Sequence, residues 1–143
     1  MLKFSTTLIF LLILAQGLNS QQVEPAEPLS GSKITRDFIC EELVYPLEEL
    51  ENKTEGTVKL SFVVDAKGDV EDIKVVNSVS PAIDKEAIRV FSMIMWRPAY
   101  RLGQPVASMQ KYEFEFDTKK YKKKCRKRGY QKHDLPYKNI DTS

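Results

Sequence analysis

The sequence predicts a two-layer α+β domain, in which helices cover one face of a three-stranded, antiparallel-type sheet. Two segments with apolar residues at every second position flank a short loop that contains a glycine, a pattern typical of a β-hairpin. A segment with apolar residues three and four positions apart follows, and a third alternating segment comes after it. The chain of 143 residues is long enough for one such domain, with the element order β-β-α-β.

Residues 1–20 are typical of a secretory signal peptide, because Lys3 precedes an apolar run over residues 8–15 and a small-x-small cleavage motif starts at Ala15. The apolar run is shorter than the roughly 20 residues that cross a bilayer. We therefore expect an exported protein, with an inner-membrane anchor as the alternative if this segment is retained. Residues 21–36 are mostly polar and contain two prolines and a glycine, which predicts a short linker.

The globular domain is predicted to occupy residues 37–117. Apolar residues between Asp37 and Leu50 fall near helical spacing, but Pro46 interrupts them. Proline suits the first turn of a helix, where its missing N–H costs nothing. We therefore predict a short helix that starts around Pro46.

The first strand of the predicted hairpin covers residues 57–65. Its apolar side chains share one face: Val58, Leu60, Phe62 and Val64. Polar side chains occupy the other face, which predicts a half-buried strand. The loop over residues 65–69 is expected to turn at Gly68, since glycine adopts positive φ without steric cost.

The second and third strands are predicted from the same alternation. The second strand covers residues 70–77 and is expected to direct Ile73 and Val75 inward. The third alternating segment places three aromatic residues on one face: Tyr112, Phe114 and Phe116.

A helix is predicted between these two strands. Asp84 is a candidate N-cap, because its carboxylate can accept hydrogen bonds from the amides of the first turn. The apolar stripe of this helix consists of Ala87, Ile88, Phe91, Ile94 and Met95. Pro98 disfavours a helical conformation at Arg97, so the helix is expected to end near Trp96.

The element order restricts the topology of the sheet. If the third strand pairs antiparallel with the first, it runs parallel to the second, and the connection through the helix must be a right-handed crossover. The predicted strand order is 2-1-3, with helices on one face and the third strand at an edge.

The residues from about 43 to 117 resemble the TonB C-terminal domain family. The matching motifs are Tyr45-Pro46, Gly56-x-Val58-x-Leu60-x-Phe62-x-Val64-Asp65-x-x-Gly68-x-Val70, Val75-Val76-x-Ser78, Asp84-x-Glu86-Ala87, Trp96-Arg97-Pro98-Ala99, Gly103-x-Pro105-Val106 and Phe114-x-Phe116. Each motif alone is common in proteins, whereas the ordered set at these spacings is specific.

The resemblance implies the fold just described and a binding function in the periplasm of double-membrane bacteria. Members of the family bind outer-membrane receptors, and a short receptor segment, the TonB box, pairs with the edge of the third strand. Carried onto this chain, the resemblance implies the following partner-binding residues: Val44, Ser108, Met109, Gln110, Lys111, Tyr112 and Glu113. The same unpaired edge can also join two copies into a homodimer.

The chain differs from the family members that transmit energy, which carry a transmembrane anchor with a functional histidine and a long proline-rich spacer. Its N-terminal apolar segment is short and contains no histidine, and its linker is brief. The sequence therefore predicts a free-standing periplasmic member, which supports TonB-dependent transmembrane transport without harvesting the proton-motive force itself.

A basic tail is predicted over residues 118–143. This segment contains ten bases and two acids, a net charge of +8, whereas the rest of the chain has 12 bases and 18 acids, a net charge of −6. Such a segment is either a solvated extension or a surface for anionic partners. An exported protein is not expected to meet nucleic acid. The alternative function is therefore that of an envelope surface-binding or structural protein, with the tail on anionic lipid or cell wall.

The sequence contains no catalytic or metal-binding constellation. Its one histidine, His133, lies in the basic tail with Cys125, outside the core that would hold a catalytic pair rigid. Two cysteines and one histidine cannot form a closed zinc site. We therefore predict no enzyme activity and no cofactor. Cys40 and Cys125 either pair as a disulfide in an oxidising compartment or remain separate thiols.

Overall fold

The computed structural model describes residues 23–128, which form four helices and eight strands. The helices are α1 (Ser32–Glu42), α2 (Leu47–Glu51), α3 (Pro81–Phe91) and α4 (Thr118–Lys127). The strands are β1 (Val23–Glu24), β2 (Glu27–Pro28), β3 (Gly56–Val64), β4 (Val70–Asn77), β5 (Trp96–Arg97), β6 (Ala99–Arg101), β7 (Gln104–Val106) and β8 (Ser108–Phe116). The predicted signal peptide and residues 129–143 lie outside the described residues. Within residues 23–128, no helix combines the length and the apolar character needed to cross a membrane.

The central sheet consists of β4, β3 and β8 in that order, and both strand pairs are antiparallel. Two small sheets accompany it, one formed by β1, β6 and β7 and the other by β2 and β5. The buried apolar side chains of α3 and α4 belong to the same core cluster as the inward side chains of β3 and β8. The predicted α+β class is confirmed, with the third predicted strand, β8, at an edge of the central sheet.

β3 supplies the centre of the core. Its four inward side chains are at most 1% exposed, as the alternation predicted: Val58, Leu60, Phe62 and Val64. The ring of Phe62 lies 4.6 Å from the ring of Phe91 in α3 and 4.8 Å from the ring of Trp96, centroid to centroid. Because each large apolar side chain stabilises the fold by about 1.5–3 kcal/mol when buried, this row is a major part of the folding free energy.

The loop between β3 and β4 is held by a carboxylate and a glycine. The Asp65 carboxylate accepts hydrogen bonds from the amides of Lys67, at 2.7 Å, and Asp69, at 2.9 Å. These backbone donors, with the Asp69 amide first, lower the pKa of Asp65. Gly68 has a φ of 94°, as the sequence predicted. Its α-carbon also faces the carbonyl oxygen of Trp96 so closely that a Cβ would lie 2.6 Å from that oxygen.

The expectation that β4 directs Ile73 and Val75 into the core is wrong. Ile73 is 37% exposed and Val75 is 36% exposed, although Val75 pairs with the inward residue Leu60. The core side chains of the sheet come from β3 and β8, and only Val70 of β4 packs against them. The helices therefore leave the β4 side of the sheet uncovered, and alternation alone did not predict burial at this edge.

The N-cap of α3 is Ser80 and not the predicted Asp84. The Ser80 hydroxyl oxygen accepts a hydrogen bond from the Ile83 amide at 3.3 Å, and Pro81 follows at the first helical position. Asp84 lies in the first turn, and its carboxylate accepts from the amide of Val79 at 3.0 Å. Both acidic and hydroxyl side chains can cap a helix, and the proline decides between them here.

α3 ends at Phe91, more than one turn before the predicted end near Trp96. Ser92 is its C-cap, and the chain then turns so that Trp96 pairs with Pro28 in the ladder between β5 and β2. Met95, which was expected in the helical stripe, is 68% exposed. Backbone pairing with β2 therefore overrides the local apolar periodicity.

Two short strands within residues 23–28 pair with the rest of the domain and α1 begins at Ser32, so residues 23–36 do not form the linker that was predicted over residues 21–36. β1 runs antiparallel to β6, with Val23 opposite Arg101, and β2 runs antiparallel to β5, with Glu27 opposite Arg97. α1 begins within the same segment. The physical reason is that β5 and β6 carry backbone groups that need hydrogen-bond partners, and this segment supplies them.

The first part of the predicted basic tail is the helix α4, which packs on the core. The Asp117 side chain caps it by accepting from the amide of Lys120 at 2.9 Å. Three side chains of α4 are buried: Thr118, Tyr121 and Cys125. Their spacing of three and four residues forms a narrow inward stripe among the lysines. The domain therefore extends beyond residue 117, and residues 118–127 are not a solvated extension.

We predict that Gly68→Ala destabilises the fold by more than Gly103→Ala. Both glycines have positive φ, 94° and 76°, so either alanine adds backbone strain of about 1–2 kcal/mol. At position 68 the new Cβ would also meet the carbonyl oxygen of Trp96, whereas at position 103 it would have no heavy atom within 4 Å apart from those of the glycine and its two chain neighbours. Chemical denaturation of the two variants measures the difference. Equal losses of unfolding free energy would contradict the close approach.

Candidate strand-addition site

β8 is hydrogen-bonded to a neighbouring strand on one side only. It pairs with β3 in nine consecutive antiparallel pairs, from Gly56 opposite Phe116 to Val64 opposite Ser108. No other strand within residues 23–128 pairs with it. Its second edge therefore presents backbone N–H and C=O groups at the spacing that an added strand requires.

The six residues predicted on β8 lie consecutively along this edge strand. The side chains that point away from the helices are exposed: Met109, Lys111 and Glu113. The side chains that point toward the helices are half-buried: Ser108, Gln110 and Tyr112. Met109 is 72% exposed and is the most accessible apolar group of the strand. The structure therefore brings these six residues together, with alternate side chains on opposite faces.

Tyr112 is the aromatic side chain within this set. Its ring lies 5.1 Å from Phe114 and 6.1 Å from Trp96, where the two planes meet edge to face at 85°. Burial raises the pKa of Tyr112, and the nearby Arg36 opposes part of that effect. The phenol is therefore neutral at physiological pH, and its ring is held in place by other aromatic rings.

The two glutamates of β8 form ion pairs within the domain. Glu113 lies 2.8 Å from the ammonium of Lys59 in β3, and Glu115 lies 2.8 Å from the ammonium of Lys120 in α4. These pairs are exposed, so each contributes no more than about 1 kcal/mol. They still draw both carboxylates toward neighbouring elements. Lys111 forms no ion pair in the described part of the chain.

Val44, the seventh predicted residue, lies between α1 and α2 and not on β8. Its amide donates a hydrogen bond to Glu86 Oε1 at 2.8 Å. The buried Glu86 carboxylate also accepts two hydrogen bonds of 2.7 Å from the Arg89 guanidinium, which raises the pKa of Arg89. No hydrogen bond among the described residues joins Val44 to β8. The structure therefore does not unite this residue with the other six.

Glu86 and Arg89 are not among the residues that were predicted to matter. The sequence does contain a signal for Glu86, because it lies three residues after Ile83 and four before Val90, on the same face of the helix. Both of those side chains are buried. A carboxylate on the apolar face of a helix must be paired when it is buried. Arg89, one turn further along α3, is the partner that this position requires.

Three basic side chains from other elements cap the carbonyl groups at the end of α1, a set that we call the α1 clamp. The donors and acceptors are Arg89 to Glu42, Lys124 to Cys40 and Leu43, and Arg128 to Glu41. α1 has no basic residue in its own last turn. The clamp therefore supplies the cations that the negative end of the helix dipole favours. Partial burial in this contact lowers the pKa of Lys124.

Tyr45 joins the segment after α1 to the end of β8 and to α4. Its hydroxyl donates to the carbonyl of Thr54, and burial raises its pKa. Its ring lies 5.5 Å from the ring of Phe116 and 5.4 Å from the ring of Tyr121. Pro46 is the N-cap of α2, so the short helix predicted to start around Pro46 is confirmed.

The two cysteines are free thiols in the structure and do not form the candidate disulfide. Cys125 lies on α4 and is buried in the core, whereas Cys40 lies on α1 and is exposed. The α1 clamp joins α4 to the end of α1, but the two cysteine side chains lie in different environments. Among residues 23–128 there is also no group of three or more His, Cys, Asp or Glu residues arranged to bind a metal ion.

The fold and its open edge strand define a protein-interaction domain. Residues 41–118 match the family described as Gram-negative bacterial TonB protein C-terminal. Because this match covers more than half of the chain, the protein belongs to the TonB C-terminal domain family, whose members are non-catalytic interaction domains.

Solved structures of such domains are similar to this chain. One is the TonB C-terminal domain of Pseudomonas aeruginosa, solved by NMR in solution, which is 27% identical in sequence with a TM-score of 0.46. The matched region covers 70% of this chain and 90% of the Pseudomonas chain. The TonB C-terminal domain of Helicobacter pylori, also solved by NMR in solution, is 21% identical, covers 58% of this chain and 76% of its own, and has a TM-score of 0.43. A comparison with curated proteins finds no match.

We predict that Glu86→Gln destabilises the domain by about 1–3 kcal/mol, because the glutamine leaves Arg89 without its counter-charge in a partly buried position. Glu113→Gln is the matched control, since it removes an exposed ion pair with Lys59 and is expected to cost less than about 1 kcal/mol. Urea denaturation of both variants measures the two costs. If both variants lose the same stability, the Glu86–Arg89 pair does not organise the end of α1.

Proposed function

We propose that this protein acts in the periplasm as a TonB-type interaction module, which binds an extended segment of an outer-membrane transporter by strand addition to β8 and thereby supports TonB-dependent transmembrane transport. Family membership and the predicted signal peptide support this role. The observation that carries the proposal is the unpaired edge of β8, which runs unbroken over nine residues. Strand addition needs such an edge, because main-chain hydrogen bonds supply its affinity.

The opposite edge of the central sheet is a poorer template. The pairing of β4 with β3 has register shifts between Lys59 and Leu60 and again between Ser61 and Val63. Asp72, within β4, has a positive φ of 53°. Bulges and irregular backbone disrupt the regular spacing of donors and acceptors and are a common protection of edge strands. The partner is therefore expected to choose β8 over β4.

The side chains along β8 favour an extended partner with mixed chemistry. Met109 offers an exposed apolar contact at one end of the outer face, and Lys111 offers an unpaired positive charge next to it. On the inner face, the half-buried ring of Tyr112 can contact the side chain that lies opposite it on an added strand. We therefore expect selectivity to come from alternate residues of the partner, in a segment with few positive charges.

A titration of the isotope-labelled protein with peptides that contain the TonB box tests this function. Amide chemical-shift changes are expected along residues 106–114, because these backbone groups acquire new hydrogen-bond partners. The amides of β4 serve as the internal control and are expected to change little. The proposal fails if saturating peptide leaves the amides of β8 unchanged.

Two neighbouring proline variants, Gln110→Pro and Lys111→Pro, locate the contact on the edge itself. Along a strand, successive N–H groups point to opposite neighbours, so one variant removes a donor to β3 and the other removes a donor to the free edge. One variant should lose stability, while the other stays folded and loses peptide affinity. Thermal unfolding and the same titration measure both effects. Unchanged peptide affinity in the variant that stays folded would exclude backbone pairing at this edge.

A second copy of this chain is the competing occupant of β8. Sedimentation equilibrium at the concentrations of the titration distinguishes the two cases. A dimer that dissociates in the folded proline variant, together with no peptide binding by the wild-type protein, would assign the edge to a homodimer.

A further inference from the structure

One face of α4 concentrates positive charge that the fold does not use. The helix buries Thr118, Tyr121 and Cys125 against the core. At 100° per residue, five bases fall together on one side of the helix outside this buried stripe, within an arc of roughly 140° and a length of about 12 Å. We call them the α4 basic face: Lys119, Lys122, Lys123, Arg126 and Lys127. Four of these side chains are exposed, and Lys122 is half-exposed.

The remaining bases of α4 have structural roles. Lys120 pairs with Glu115, at 2.8 Å, and Lys124 and Arg128 belong to the α1 clamp. None of the five residues of the α4 basic face forms an ion pair with a carboxylate between residues 23 and 128. Five like charges on one helix face repel each other at the spacing of one turn. The face therefore lowers local stability, and an anionic partner would remove that cost.

The shape of this surface favours an extended partner over a small anion. A depression that includes Lys123 and Lys127 of this face is lined only by side chains of α4 and its C-cap, the others being Lys120, Lys124 and Arg128. No second element forms a wall that would enclose a single phosphate or carboxylate. Four of the five side chains of the basic face are lysines, which act as hydrated point charges and do not need the fixed bidentate geometry that arginine provides. A plane of negative charge fits such a face better than a single acidic side chain.

We infer that the α4 basic face binds the surface of an anionic phospholipid bilayer. The contact is peripheral and electrostatic, since the face carries no apolar side chain that would enter the hydrocarbon region. It leaves the edge of β8 unused, so membrane contact and strand addition are separate properties that can be tested separately.

The inference is tested with the full chain and two kinds of vesicle, one of phosphatidylcholine alone and one of equimolar phosphatidylcholine and phosphatidylglycerol. Co-sedimentation is expected with the anionic vesicles, and it should weaken as salt shortens the screening length from about 10 Å at 0.1 M to about 3 Å at 1 M. The neutral vesicles control for any apolar contribution of the N-terminal segment. Equal binding to both vesicles, or binding that is insensitive to salt, would overturn the inference.

A variant with all five bases of the α4 basic face changed to glutamine isolates the surface. Each basic residue near an anionic membrane contributes roughly fivefold to partitioning, so the variant that lacks all five should bind about three-thousandfold more weakly. The matched control removes the same charge from exposed sites elsewhere: Lys53, Lys67, Lys74, Lys85 and Arg101. This control should retain most of the binding. If the two variants bind equally, net charge and not the α4 basic face is responsible, and the inference fails.

Two further measurements keep the outcome decisive. Circular dichroism and thermal unfolding should show that the glutamine variant is folded, because none of its five changed side chains is buried. Polyglutamate is the probe for an acidic protein partner. If the wild-type chain binds polyglutamate with the same charge dependence but does not bind anionic vesicles, the face recognises an acidic polypeptide and the membrane assignment is wrong.

Discussion

β3 and β8 pair along nine consecutive residues, and the other elements take their positions from this pairing. The register places Phe114 opposite Val58 and Tyr112 opposite Leu60, so aromatic side chains of one strand meet aliphatic side chains of the other on the inner face. A slip by one residue would turn this whole row toward solvent. The apolar row therefore maintains the register, and the register keeps the outer edge of β8 regular enough to accept another strand.

Polar contacts join the helices of the layer that covers this sheet. The α1 clamp and the Glu86–Arg89 pair join α1, α3 and α4 through charged hydrogen bonds. The ring of Tyr45 lies between Phe116 and Tyr121, so it connects the end of β8 to α4. Because only Asp117 separates β8 from α4, the packing of this helix restrains the C-terminal end of the edge strand. The lysine-rich segment is therefore part of the support of the site.

The sequence predicts the parts of the fold whose signal is local. Alternation over β3 and β8 identifies the inner face, because one side of each strand is buried and the other is not. The same pattern misplaces Ile73, since burial on β4 depends on where the helices lie and not on the strand itself. Capping is ambiguous between Ser80 and Asp84 until the proline at the first helical position is considered.

The pairing of residues 23–28 with β5 and β6 is non-local and leaves no periodic signal in either segment. The six candidate residues of β8 came from family resemblance combined with the predicted edge position. Glu86 could have been identified only as a single charged residue within the apolar stripe of α3.

Trp96 shows how a loop outside the site supports it. Its ring lies 4.8 Å from Phe62 and 6.1 Å from Tyr112, so it packs between the central strand and the inner face of β8. Its indole nitrogen has no hydrogen-bond partner among the described residues, and a buried donor without a partner costs free energy. The side chain is therefore kept in place by aromatic packing and by the pairing of its backbone with Pro28 in β2. That pairing gives the N-terminal segment a function, because it holds the loop against the core from outside. Trp96 therefore supports Tyr112 although it does not lie on β8, and the geometry that a partner strand meets depends on contacts outside the edge strand.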